Sequence, residues 1–202
     1  MTIKELPYFY IDSSYGGNQD WMRSWPMRYG GCAALTACDI CIYLAKYWGM
    51  ENLYPLDLSH LSRRDYKKFG SIMRPFLPPR ARGVNTTHLF TDGFVPYLKS
   101  RRNSALSFVH LQASEPLKKA EEYIRRQIDG GLPVAFLMLK NNRPELKDYV
   151  WHWFIVNGYK IDDDLSMWVK TATYGECHWF LLQHLWCTDY PEKGGIVLPT
   201  IL

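Results

Sequence analysis

No apolar run in this 202-residue chain approaches the ~20 residues that a membrane-spanning helix needs. The opening residues, Met1-Thr2-Ile3-Lys4-Glu5-Leu6-Pro7, lack the basic patch and apolar core of a secretory leader. A cytoplasmic protein is therefore the expectation, and a secreted one only if a leader has been removed. The five cysteines do not make a disulfide framework: the number is odd, and Cys32, Cys38 and Cys41 crowd one short segment, which fits a reducing compartment. There is no internal repeat and no low-complexity tract. Apolar residues at 47% and charged ones at 22% exclude global disorder and coiled coil, and the length fits a single domain spanning 1–202.

Cofactor signatures are missing too. Gly16-Gly17 and Gly30-Gly31 lack the spacing and the Lys-Ser/Thr ending of a phosphate loop. Asp162-Asp163-Asp164 is followed by Leu165-Ser166, without the glycine and distal glutamate of a calcium loop. Cys177-His178, His184 and Cys187 match no zinc spacing. Cys38-Asp39-Ile40-Cys41 lies over a turn inside an apolar run, so it reads as core packing rather than as a redox pair. No cofactor and no metal are expected.

What the chain has in abundance is aromatic side chains, 15% of residues with 8 Trp and 14 Tyr, enough for a well-filled core or an aromatic-lined cleft. Its formal charge of +4 is unevenly spread. Residues 51–104 carry ten Lys and Arg against four Asp and Glu, whereas 151–202 carry three against six. A solvated helical face accounts for the basic segment. Stacking aromatics or a nucleic-acid module do not accompany it, so no nucleic-acid partner and no membrane surface is expected.

The segment from Cys32 to Trp48 is mostly apolar with little charge on any face, bounded by Gly30-Gly31 and Gly49, and predicts a helix buried nearly all round. Before it lies extended chain and loops. Residues 50–104 read as short helices, one begun at Ser62 and another after Asp92, separated by the stiff Pro75-Phe76-Leu77-Pro78-Pro79. Strands are expected at Leu106–Leu111, Pro133–Leu139, Trp151–Tyr159 and Met167–Thr173, with Ile196–Ile201 closing the sheet, and a helix over Leu117–Ile128 after Pro116. The class is α+β, with the buried helix packed on a late antiparallel sheet.

Cys32 stands at the start of the buried helix. There unpaired backbone N–H groups and the positive end of the helix dipole favour thiolate, the nucleophilic form. His152, alone at the head of a late apolar strand, is placed to take the thiol proton and return it to a leaving group. Trp153 and Tyr174 are the expected cleft-lining aromatics, and Gly31 leaves room for substrate.

Gly17-Asn18-Gln19, then Gly31-Cys32-Ala33-Ala34, then His152-Trp153 leading into Asn157-Gly158-Tyr159, resembles the papain-like cysteine peptidases, closest to the bacterial C39-like branch. The resemblance covers roughly residues 16–48 and 132–186, with a helical insertion at about 50–104 between them. It implies that Cys32 is the nucleophile and His152 the base of an ion pair. It also implies that Gln19, with Asn18 as the fallback, and the Cys32 N–H hold the oxyanion.

Two features depart from that pattern. Twelve residues separate Gln19 from Cys32, where the family has only a few. The strand Met167-Trp168-Val169-Lys170-Thr171-Ala172-Thr173-Tyr174-Gly175 has no Asn or Asp to orient the histidine, which leaves the hydroxyl of Thr171 or Thr173. The leading expectation is a thiol hydrolase cleaving peptide or related amide bonds, with a peptide or protein as its substrate. The alternatives are a catalytically silent papain-like module that binds a peptide or protein, and an acyltransferase or amidase with the same dyad. Oligomeric state is not read from the sequence.

Overall fold

The computed structural model describes residues 1–202. Strand β1 (Thr2–Glu5) and the small hairpin of β2 (Tyr10–Ile11) and β3 (Ser14–Tyr15) come first. Helices α1 (Trp25–Gly30), α2 (Cys32–Tyr47), α3 (Arg63–Met73) and α4 (Thr87–Ser100) follow. The remaining order is β4 (Leu106–Gln112), α5 (Leu117–Asp129), β5 (Val134–Met138), β6 (His152–Ile161), β7 (Met167–Thr173), β8 (Glu176–Leu181), α6 (Leu182–Trp186) and β9 (Gly194–Ile201).

Burial of every side chain from Cys32 to Ala45 makes α2 the axis of the core. A helix apolar on all faces must be covered on all sides. Here β6 lies on one side and α3 on another. The sheet is antiparallel and seven-stranded, in the order β4-β9-β5-β6-β7-β8, with β1 also on β6. The long β6 serves two partners along one edge: Met138 of β5 pairs with His152, and Glu5 of β1 pairs with Gly158. The molecule is therefore α+β, with the buried helix on an antiparallel sheet.

Several boundaries differ from those expected. The helix foreseen after Asp92 begins at Thr87, because the Thr86 hydroxyl accepts the Leu89 N–H at 3.1 Å and caps it earlier. The last strand does not close the sheet but lies inside it, between β4 and β5. The opening stretch holds β1 and α1 rather than loops alone. All five cysteines are free, with Cys177 and Cys187 exposed. No helix is long and apolar enough to cross a membrane.

Candidate active site

The α1–α2 junction builds the site from the backbone outward. The helical ladder breaks at Gly31, so the Cys32 N–H does not continue it. The Arg28 carbonyl, which that N–H would meet in an unbroken helix, accepts the Gln19 side-chain amide at 2.6 Å instead. One exchange thus leaves the Cys32 N–H without a backbone acceptor, turned toward its own thiol, and ties Gln19 to the preceding helix. The twelve residues between them are taken up by α1 and the turns around it, which fold Gln19 back onto the head of α2. Gly31 lines neither of the two cavities at Cys32, and a Cβ there would sit 2.4 Å from the Met27 oxygen. Gly30 lines the opening beside Cys32. Asn18 is turned away as well, donating to the Tyr174 carbonyl at 2.8 Å.

His152 opens β6. Its Nε2 lies 2.8 Å from Thr173 Oγ1, its Nδ1 lies 3.4 Å from the Tyr174 hydroxyl, and its ring stacks on Tyr174 with centroids 4.7 Å apart. The hydroxyl that meets the imidazole therefore belongs to Thr173, not Thr171. The strand register explains this: Thr171 pairs with Val156, four residues along β6 from His152, whereas Thr173 lies one step beyond the Ala172–Ile155 pair. Thr171 donates to the His178 carbonyl at 3.2 Å and meets the Tyr149 hydroxyl at 3.0 Å. Trp153 lines the narrow cavity beside Cys32 and His152, and its ring is fixed by partners outside that cavity. Its indole is 1% exposed, stacks on Phe90, and donates to the Val84 carbonyl at 2.5 Å.

Cys32, His152, Gln19, Thr173 and Tyr174 share the wall of one narrow cavity of about 20 Å³, room for about one water. A larger cavity of about 500 Å³ adjoins it at Cys32. Burial dominates the electrostatics: it pushes the Cys32 thiol up and the His152 imidazole down to about 3. Backbone groups of Trp153 and Ala33 pull the thiol the other way, and their effect is smaller. Burial thus favours the uncharged form of both the thiol and the imidazole in the closed site.

Sequence reasoning passed over Asp39, two helical turns after Cys32. Its buried carboxylate accepts the Gly17 N–H at 3.2 Å, the Tyr8 hydroxyl at 3.2 Å and the Tyr66 hydroxyl at 2.7 Å, and so holds the loop that carries Gln19. Gly17 has no room for a side chain, since a Cβ would fall 1.8 Å from the Tyr66 oxygen. Desolvation raises Asp39 to about 6 despite these bonds. A buried acid between two cysteines at an i, i+3 spacing was the available signal. His, Cys, Asp and Glu side chains gather nowhere in a group of three or more suited to a metal.

Comparison with family models, with curated proteins and with solved structures finds no match, so the site's own geometry carries the functional reading.

Proposed function

We propose that the chain is a papain-like thiol hydrolase acting on peptide or related amide bonds. The observation that supports this reading is that Cys32, His152 and Gln19 line one cavity, with Cys32 at a helix start whose N–H has no backbone acceptor. As a substrate carbonyl enters, Cys32 Sγ attacks it and the thiol proton passes to His152 Nδ1. The Tyr174 hydroxyl yields that nitrogen, and Nε2–H donates to Thr173 Oγ1 as the ring becomes charged. The second hydrogen of Gln19 Nε2 and the Cys32 N–H face the developing oxyanion. His152 returns the proton to the leaving amine. Water then attacks the thioester, giving the acid and restoring the thiol.

One observation favours a second reading. Where the family pattern has an Asn or Asp, His152 Nε2 meets a hydroxyl, which stabilises an imidazolium less than a carboxylate does. A silent module that only binds peptide would tolerate this.

Site-resolved alkylation by iodoacetamide separates the two. A thiol whose proton goes to a neighbouring base of pKa about 3 keeps its reactivity in mild acid. We expect the Cys32 rate to hold nearly level from pH 8 to pH 5, where a reaction that needs free thiolate loses about tenfold per pH unit, with exposed Cys177 and Cys187 as the internal comparison. In His152→Ala the Cys32 rate should fall steeply with pH over the same range. A wild-type Cys32 that tracks Cys177 and Cys187 removes the nucleophile assignment and leaves the binding module.

A further inference from the structure

The route to Cys32 runs through the larger cavity, and its charged lining is lopsided. Arg80, Arg82 and Lys140 line it against one acid, Glu192, which is already paired with Lys140. Neither Arg80 nor Arg82 takes part in an ion pair. Both sit on one turn, closed by the Gly83 N–H on the Arg80 carbonyl at 2.9 Å.

That turn is fixed to the catalytic elements from two sides. Val84, 3% exposed, accepts the indole N–H of Trp153, the residue after His152. Pro79 lies against Gly30, with a Cβ built on Gly30 falling 3.3 Å from the Pro79 Cβ, two residues before Cys32. Trp151, just before His152, borders the same cavity in the left-handed region at φ 54°, where a bulky aromatic rarely settles. Arg80 and Arg82, both exposed and without an ion-pair partner, thus line the approach to the thiol from an anchored turn, in a space of the size that ligand sites have.

We propose that this cavity is a cationic subsite that selects substrates bearing a carboxylate next to the bond attacked by Cys32, with Arg80 and Arg82 as the specificity-determining pair. The planar fork of arginine donates to both oxygens of a carboxylate, which suits it to this task better than lysine. The proposal rests on the thiol-hydrolase reading and names its substrate class: acidic peptides. A carboxylate at that position is either an acidic side chain or a chain end, and the chemistry is shared.

The test uses three small thiol reagents with one warhead: iodoacetyl-Gly-Glu-amide, its neutral counterpart iodoacetyl-Gly-Gln-amide, and iodoacetyl-Gly-Gln with a free C-terminus. Alkylation is read site by site in the whole protein at low salt, with exposed Cys177 and Cys187 as internal controls. We expect Cys32 to favour the Glu reagent over the neutral one by about tenfold while the two controls show no such preference. The preference should shrink in 0.5 M salt and fall to that of the controls in Arg80→Gln/Arg82→Gln. The ratio carries the result, because a change at Cys32 itself moves all reagents alike. If the free-acid reagent is favoured more than the Glu reagent, the subsite takes a chain terminus; the reverse order assigns it to a side chain, and either order supports the carboxylate class. A Cys32 that reacts in mild acid but shows no charge preference overturns the subsite alone, as does a preference that survives the double variant. A Cys32 inert to all three overturns the hydrolase reading and the subsite with it.

Discussion

The imidazole of His152 is held through oxygen atoms that carry no charge, Thr173 Oγ1 at 2.8 Å on Nε2 and the Tyr174 hydroxyl at 3.4 Å on Nδ1. With no carboxylate beside it, nothing offsets the desolvation that drives its pKa to about 3. Thr173 then matters most when the ring takes a proton, because only then does its hydroxyl face a charged donor. Removing it in Thr173→Val should lower Cys32 alkylation at pH 5 by roughly ten- to a hundredfold, the ~1.5–3 kcal/mol of a hydrogen bond to a charged group. Thr173→Asn, which supplies the carbonyl of the family pattern, should restore the rate. Thr171→Val is the contrasting variant. It leaves a buried Tyr149 hydroxyl short of a partner and should cost ~1–3 kcal/mol in stability without changing the shape of the Cys32 pH profile. Melting curves and pH-resolved alkylation on the same samples check both. Equal pH profiles for the two valine variants would remove Thr173 from its positioning role.

Among the elements, those with local signals were legible and those built by distant pairing were not. Helix α2 announced itself through fourteen successive buried positions between glycines, and Ser62 caps α3 as its spacing predicts, its hydroxyl accepting the Asp65 N–H. Strand β1 gave no such sign: all four residues are exposed, and its partner in β6 is some 150 residues away. The choice between Thr171 and Thr173 depends on register, which alternation alone does not reveal. Asp39 looked like core because its three donors come from elements far along the chain. The α1–α2 junction was half legible: the glycines showed a break, but not that Gln19 would take the Arg28 carbonyl. That junction supports a sharp expectation. In Gly31→Ala a Cβ would meet the Met27 oxygen at 2.4 Å, and backbone cannot step aside as a flexible side chain does. The head of α2 must shift, at ~1–3 kcal/mol. Cys32 alkylation at pH 5 should therefore fall while residues 34–47 keep their hydrogen-exchange protection. Unchanged Cys32 chemistry in this variant would show that the junction does not set the reactivity of the thiol.

Across the whole molecule, the two shifted groups of the site act on stability in opposite directions. Asp39 is raised to about 6 from an unfolded value near 3.8, so the folded protein holds a proton that the unfolded chain releases. Its contribution is full at low pH and is lost as pH rises from about 4 to about 6. His152 is lowered to about 3 from about 6.5, so the unfolded chain takes up a proton that the folded protein refuses. Its contribution is full above about pH 6.5 and is lost as pH falls toward 3. Near pH 5 unfolding releases one proton from Asp39 and binds one at His152, and the two slopes, each about 1.4 kcal/mol per pH unit, nearly cancel. For this pair the wild type should show a plateau in stability between about pH 4 and 6. Asp39→Asn uncovers the histidine: the amide oxygen can still accept the Gly17 N–H, and Tyr66 can turn its hydroxyl to the Leu35 carbonyl, 3.3 Å away. That variant should lose stability on acidification from pH 6 to 4, by roughly 2–3 kcal/mol in all. His152→Gln should do the reverse and gain stability over the same interval. Urea unfolding midpoints measured at half-unit steps decide the matter, with the difference between each variant and wild type removing the background of surface carboxylates. Parallel curves for all three proteins would mean that neither group titrates as its burial requires. Opposite slopes for the two variants would show that burial keeps the His152 imidazole uncharged near pH 5 while Asp39, beneath the Gln19 loop, keeps its proton over the same range.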